Sequence, residues 1–174
     1  GLVGAAIERQ RSERFPIDQK RRNFDYYDPI TTGDSSLSAC VQAVVAAEVG
    51  YDELALDYFT RALYLDLCDH HGNTADGVHV ASAGGVWAGI VYGFAGMVEQ
   101  GDHLEFSPRL PSAWDGVTFH LLRHGSRMRI DLDPDGLTLT VLTGSGVPVR
   151  HEDESVLVTV DEPYRILRDR TGGN

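Results

Sequence analysis

A chain of 174 residues with 42% hydrophobic content is long enough to bury a sizeable core, in one domain or two small ones. Its net charge of −11 argues against nucleic acid or an anionic membrane as the main partner. With Lys20 the only lysine, an anion pocket would have to use arginine, histidine or backbone N–H groups.

Up to about residue 100 the apolar residues recur at helical spacing. Residues 2–10 read as one helix or the tail of one. The stretch PITTGDSSLS, residues 29–38, is polar, and either Thr32 or Asp34 suits the N-cap of the next helix, with the rest as turn residues. Ser35 to Val49 is expected to be that helix, on Leu37, Val41, Val44 and Val45, ended by Gly50. Tyr51 to Leu67 gives a second, with Asp52 and Glu53 suited to its positive first turn. Cys40 and Cys68 both fall in these apolar patterns and read as buried free thiols rather than a disulfide or metal site. A link over residues 68–82 connects to the third helix; its His70 and His71 have no second pair at metal spacing, so no zinc is expected. Ala83 to Val98 is the third helix. The apolar run from Val78 to Val98 is too rich in glycine and alanine for a membrane span, and no signal peptide is evident. These features predict a soluble, cytoplasmic protein.

Beyond residue 100 the period becomes two. HLEFSP, VTFHLLRHG, SRMRIDLDPDG, LTLTVLTGSG and SVLVTVDEP alternate apolar and polar residues between turns, as in an antiparallel sandwich. Asp135-Gly136 fits a tight hairpin turn, and the tail RDRTGGN reads as frayed. The layout is α then β: helices over 1–100, then a β-sandwich over 101–174. Three or four helices make a thin core, so the chain reads as a piece of something larger.

The third helix carries Gly84, Gly85, Gly89, Gly93 and Gly96, although each glycine inside a helix costs roughly 1 kcal/mol relative to alanine. Ser82 suits its N-cap. Gly84 and Gly85 would then bare the first N–H groups, which have no partner inside the helix and attract anions. His79, just upstream, adds a donor or a positive charge. Gly89, Gly93 and Gly96 share one face and read as positions of close helix packing. The first and third helices run the same way, because the short turn at Gly50 sends the second one back. The polar starts at 31–36 and 79–84 are therefore expected at one end of the bundle. Tyr26 and Tyr27 precede the first start and read as packing residues. Trp87 and Trp114 read as core or junction residues.

Three stretches, NFDYYDPITTGDSSLSACVQAVVAAEVGYDELALDYF, NTADGVHVASAGGVWAGIVYGFAGM and LEFSPRLPSAW, together resemble the C-terminal part of glycoside hydrolase family 65. The resemblance runs from about Phe15 to Val160; the family includes maltose, trehalose and kojibiose phosphorylases and related hydrolases. It implies the C-terminal part of an (α/α)6 barrel followed by a small antiparallel β-sandwich. It implies an inverting enzyme acting on α-glucosidic disaccharides of the trehalose or maltose type. The general-acid glutamate is expected upstream of this chain, so no catalytic acid is assigned within it. Residues 1–14 depart from the Lys-Gln-Ala-Asp type of run expected there. Matching the family's phosphate pocket are Thr32, Ser35, Ser36, His79, Ser82 and the Gly84 amide. His79 stands where the hydrolases tend to carry glutamate, which favours phosphorolysis, with inorganic phosphate as co-substrate and no cofactor. Asp34 and Asp76 keep a hydrolase open as candidate bases for a water. A non-catalytic carbohydrate-binding or assembly module is a further alternative. The implied partners are the disaccharide, the missing N-terminal part of the same enzyme and a second copy in a homodimer; the 174 residues alone are expected to be inactive.

Overall fold

The computed structural model describes residues 16–70, 72–151 and 154–169. The readings at residues 2–10, in the 1–14 run, at His71 and in the tail from 170 lie outside the described residues. Those described fall into two compact units, residues 16–94 and residues 95–169.

The first unit is helical. Helix α1 spans Ile17–Tyr27, opened by Pro16 at its N-cap, and a short 3-10 turn, Asp28–Ile30, comes next. Helix α2 spans Ser38–Val49 and stops at Gly50, whose φ of +87° is a left-handed conformation that glycine alone takes without strain. The N–H of Tyr51 then returns to the Ala46 carbonyl at 2.9 Å. Helix α3 spans Asp52–Leu63, and α4 spans Val80–Ala88 before widening into a π-helical stretch, Gly89–Phe94. Small buried residues on α2 (Ala43, Ala46 and Ala47) let its neighbours approach, and Phe59 of α3 meets Phe94 with ring centroids 5.2 Å apart. Arg21 of α1 donates to the Val49 carbonyl from Nε and Nη2 at 3.1 and 2.9 Å, satisfying the open end of α2, and Lys20 pairs with Glu48.

All three expected helices shift. The first begins at Ser38 rather than Ser35, and the second ends at Leu63 with turns to residue 70. The third begins at Val80 rather than Ala83, because the Asp66 carboxylate accepts the His79 N–H at 2.8 Å and starts the helix there. It ends at Phe94, since Gly96 turns left-handed and Val98 already opens a strand.

The second unit holds eight strands in two four-stranded sheets. One sheet runs β1 (Val98–Gln100), β2 (His103–Glu105), β6 (Val147–His151), β7 (Glu154–Val158). The other runs β3 (Val117–Arg123), β4 (Ser126–Asp133), β5 (Gly136–Thr143), β8 (Tyr164–Leu167). Alternation makes the core: Met128, Ile130, Leu132, Leu137, Leu139 and Val141 are buried from the second sheet, and Leu104, Val147, Val149 and Val158 from the first. The pairing is antiparallel with one correction, β2 and β6, which run parallel with Leu104 opposite Val149. The β4–β5 turn is also displaced by one residue from the expected Asp135-Gly136. Asp133 pairs with Gly136 across Pro134-Asp135, and Asp133 Oδ1 accepts the N–H groups of Asp135 and Gly136. Proline's fixed φ suits the first corner of that turn, so the proline rather than the Asp-Gly pair sets its register.

Candidate functional site

The two polar helix starts do lie together. Cys40, in the first turn of α2, has its sulfur 3.5 Å from the Ser82 carbonyl oxygen and 3.8 Å from the Ser82 hydroxyl. A Cβ on Gly85 would stand 2.4 Å from that sulfur, and one on Gly93, farther along, 3.4 Å from Val44 Cα. The contacts advance in the same direction on both helices, so α2 and α4 are parallel with their N-termini side by side. The glycines at 85 and 93 admit this approach, and Gly89 admits α3 instead, since a Cβ there would meet the Phe59 ring at 2.9 Å.

The loop over residues 28–37 reaches the same end, because α1 runs antiparallel to α2. Asp28 anchors it. Its carboxylate accepts from Gln42 Nε2 and from the Tyr58 hydroxyl, both at 2.7 Å. Burial, and then the bond to Asp28, pushes the Tyr58 hydroxyl up to about 12. Thr31 Oγ1 donates to the Tyr27 carbonyl at 2.8 Å, and from there Thr32, Gly33, Asp34 and Ser35 are exposed, with Ser36 half-buried. Neither Thr32 nor Asp34 caps α2. Its N-cap position is Leu37, without a side-chain cap, and Ser35 Oγ accepts the Leu37 N–H at 3.3 Å in a turn before the helix. Thr32 is thereby left toward solvent instead of being consumed in capping, while Ser35 spends one lone pair in the turn.

At the second start the residue in charge is His79. It occupies the N-cap of α4, its main-chain N–H donates to Asp66 Oδ2 at 2.8 Å, and its ring Nδ1 lies 2.5 Å from Asp66 Oδ1. The two side chains are 22% and 26% exposed, so the pair is reachable from solvent. Ser82 is corrected on two counts. It is the third residue of the helix rather than its cap, and it is 2% exposed with its hydroxyl turned to Cys40. Only its N–H belongs to the helix's first turn. Gly84 is corrected as well: Ala83 already donates to the His79 carbonyl at 3.1 Å, which places the Gly84 N–H beyond the open ones. What Gly84 offers instead is space, since a Cβ there would meet nothing within 4 Å. Asp34 and Asp76 are both exposed, the first in the loop and the second in the 3-10 turn Thr74–Asp76.

Four further expectations change. Cys68 is exposed, while Cys40 is buried as expected, and both thiols are free. Tyr26 and Tyr27 are 68% and 60% exposed, stacked edge to face at 5.0 Å, rather than packed. Trp87 is 44% exposed and not a core residue. Sequence reasoning also missed Asp66 and Asp28, because each acts on a partner brought near only by a loop or a neighbouring helix. Among the described residues no helix is long and apolar enough to cross a membrane, and no His, Cys, Asp and Glu cluster could hold a metal ion.

Known proteins resemble this chain in sequence and fold. A solved structure assigned as a kojibiose phosphorylase, from human microbiome, superposes with a TM-score of 0.82 at 28% identity, covering 93% of this chain and 24% of that one. An uncharacterized glycosyl hydrolase of Mycobacterium leprae is 42% identical over 163 residues, 92% of this chain and 21% of its own length. The α,α-trehalose phosphorylase of Thermoanaerobacter brockii is 36% identical over 150 residues, 86% of this chain and 19% of its own. The chain thus spans about a fifth of the length of the curated relatives it matches. The family profile "Glycosyl hydrolase family 65 central catalytic domain" matches residues 7–88, and "Glycosyl hydrolase family 65, C-terminal domain" matches residues 97–158. On helices, strands and both profiles alike, the chain belongs to glycosyl hydrolase family 65.

Proposed function

We propose that the whole protein cleaves an α-glucosidic disaccharide by phosphorolysis with inversion, and that this chain forms the phosphate side of its site. In this reading the four helices close the end of an (α/α)6 barrel, and the general acid comes from the part of the protein upstream. That acid protonates the glycosidic oxygen while phosphate attacks the anomeric carbon from the opposite face. Phosphate needs donors and positive potential in its pocket. Thr32, Ser35 and Ser36 would give hydroxyls, Ser82 its N–H, and His79 a ring nitrogen, with Gly84 leaving the approach clear. The observation that carries the reading is the pairing of two parallel helix starts, held together by Cys40 against Ser82. Each start contributes roughly half a positive charge, and two side by side favour a dianion without a lysine.

The relatives support phosphorolysis, since those with a named activity are phosphorylases of trehalose, maltose and kojibiose. A hydrolase would instead need a carboxylate holding water, about 6.5–9.5 Å from the acid, and Asp34 or Asp76 would have to serve. The test is disaccharide cleavage by the complete protein with and without inorganic phosphate. Turnover that requires phosphate and yields a sugar 1-phosphate of inverted configuration is expected. Glucose release at the same rate without phosphate would overturn the proposal in favour of the hydrolase, and no turnover at all would favour a binding module. In the phosphorylase, His79→Ala should raise the KM for phosphate about tenfold or more, the cost of losing a charge-assisted hydrogen bond.

A further inference from the structure

Asp28 closes α1 and opens the loop that follows. Its main-chain N–H donates to the Phe24 carbonyl, and its own carbonyl takes the Thr31 N–H at 3.1 Å. Its carboxylate gives one oxygen to each of two other helices. Oδ1 accepts from Gln42 Nε2, near the start of α2, and Oδ2 from the Tyr58 hydroxyl of α3, both at 2.7 Å. One carboxylate thus joins three helices at the point where residues 28–37 begin. Among the described residues, the other hydrogen bonds of residues 29–37 close locally, as from Thr31 Oγ1 to the Tyr27 carbonyl at 2.8 Å and from the Leu37 N–H to Ser35 Oγ at 3.3 Å. Resting on the phosphate reading above, we infer that Asp28 is a positioning residue of the phosphate site: by way of Gln42 and Tyr58 it ties the loop carrying Thr32, Ser35 and Ser36 to α2 and α3, without itself touching phosphate.

The tie and the charge that makes it act in opposite directions, which lets them be told apart. A carboxylate near an anion site repels the anion, so loss of the charge alone would tighten phosphate binding. Loss of the two bonds leaves the loop on its local contacts, and phosphate would then have to order the loop as it binds, which weakens binding. Tyr58 is a dependable donor in this arrangement. It is buried, and burial followed by the bond to Asp28 pushes its hydroxyl up to about 12, so it stays protonated through the neutral range. Arg61 lies over the Tyr58 ring, 5.7 Å from its centroid, a contact that does not need the hydroxyl. Misplacing a binding group by about 1 Å can cost as much as ~100-fold, so a loosened loop is enough for a measurable loss.

The experiment compares Asp28→Ala, Asp28→Asn and Tyr58→Phe in the complete protein, with the KM for phosphate and for the disaccharide measured separately. Alanine removes both bonds, so the phosphate KM should rise about 10-fold or more while the disaccharide KM stays within about twofold. Asparagine removes the charge but keeps both contacts once the Gln42 amide turns over, and its phosphate KM should stay within about threefold of the unaltered protein's. Tyr58→Phe loses one bond and should raise the phosphate KM about 3- to 10-fold. Added to Asp28→Ala it should contribute less than about twofold, since hydroxyl and carboxylate act as one pair. If circular dichroism shows that Asp28→Ala does not fold, Tyr58→Phe decides alone. An unchanged phosphate KM in the folded variants would overturn the inference, as would a disaccharide KM that rises in step with it. A phosphate KM lowered by alanine would show that the carboxylate only repels, and asparagine as damaging as alanine that charge rather than the tie matters; either also overturns it. All of these leave the phosphorylase reading intact, whereas phosphate-independent turnover by the unaltered protein would sink both readings together.

Discussion

Adjacent glycines in α4 should respond to the same mutation with opposite sign. At Gly84 an added methyl meets nothing within 4 Å, so alanine should stabilise the helix by its propensity advantage, about 0.5–1 kcal/mol. At Gly85 the same methyl would stand 2.4 Å from Cys40 Sγ and 2.6 Å from Cys40 Cβ. Comfortable contacts begin near ~3.5 Å, so α4 would have to back away from α2 by roughly an ångström. Overpacking of this kind costs about 1–3 kcal/mol, and the propensity gain offsets only about 1 of it. Gly85→Ala should therefore be less stable than Gly84→Ala by roughly 1–3 kcal/mol. Hydrogen–deuterium exchange in α4 of the complete protein reads this locally, without assuming one unfolding transition for several domains. The expected difference is about 5- to 150-fold in exchange rate between the two variants. Cys40→Ala, which removes the sulfur but leaves its Cβ, should restore part of the protection lost in Gly85→Ala. Equal protection in the two glycine variants would refute the claim that close approach at Cys40 sets the spacing of the two helix starts.

Tyr58 gives a pH prediction. Its hydroxyl is pushed from the ordinary 10 to about 12, so its contribution to stability is complete below pH 10 and disappears as the pH climbs toward 12. The span is worth at most ~2.7 kcal/mol, trimmed by solvent at half-buried Asp28; Asp28→Ala should lower the tyrosinate titration midpoint seen by ultraviolet absorbance. In the second unit Arg165 holds the Asp133 carboxyl below the usual carboxylate range, through bonds of 2.6 and 2.7 Å. That contribution is present above the normal carboxylate pKa and is lost as the pH falls through the lowered one. Asp133→Asn should cost only about 0.5–1 kcal/mol near neutrality, because the pair is largely solvated, and should flatten the acid limb of a stability–pH curve. The 174 residues by themselves should cleave neither trehalose nor maltose; measurable turnover by them would place the acid within this chain.

The periodicities of 3.6 and 2 were legible because they come from burying one face, and so the helices and the strand alternation of Met128, Ile130 and Leu132 could be read directly. Helix ends were not. Ser82 looks like a cap by residue type, but a carboxylate from a distant turn took that position for His79, and the serine was drawn into the helix interior. Thr32 and Asp34 look like caps too, yet Leu37 occupies the N-cap position and the polar loop stays open. Capping preference amounts to about 1 kcal/mol, which one well-placed tertiary hydrogen bond can override. The parallel β2–β6 pair escaped for a related reason, since strand alternation says which face is buried and nothing about which strand comes next. Asp28 and Asp66 carry no local signature at all, because their partners arrive by way of other elements.

The misses among the helices concentrate at one end of the helical unit, and that is physically consistent. The proposed anion site would need donors left unspent, and helix starts whose own side chains do not cap them would suit it. The same sequence, scored for local comfort, looks wrong there: four glycines in one helical run, an N-cap leucine, a serine out of place. The glycines resolve the apparent cost. Each gives up roughly 1 kcal/mol of helix propensity, but at 85, 89 and 93 that loss admits Cys40, Phe59 and Val44 into direct contact with the helix backbone. Close packing of α2 against α4 is what sets two positive helix ends beside each other. A bulkier residue at 85 or 93, where the neighbour is α2, would separate them, and the field at the shared end would fall with distance even if every donor remained.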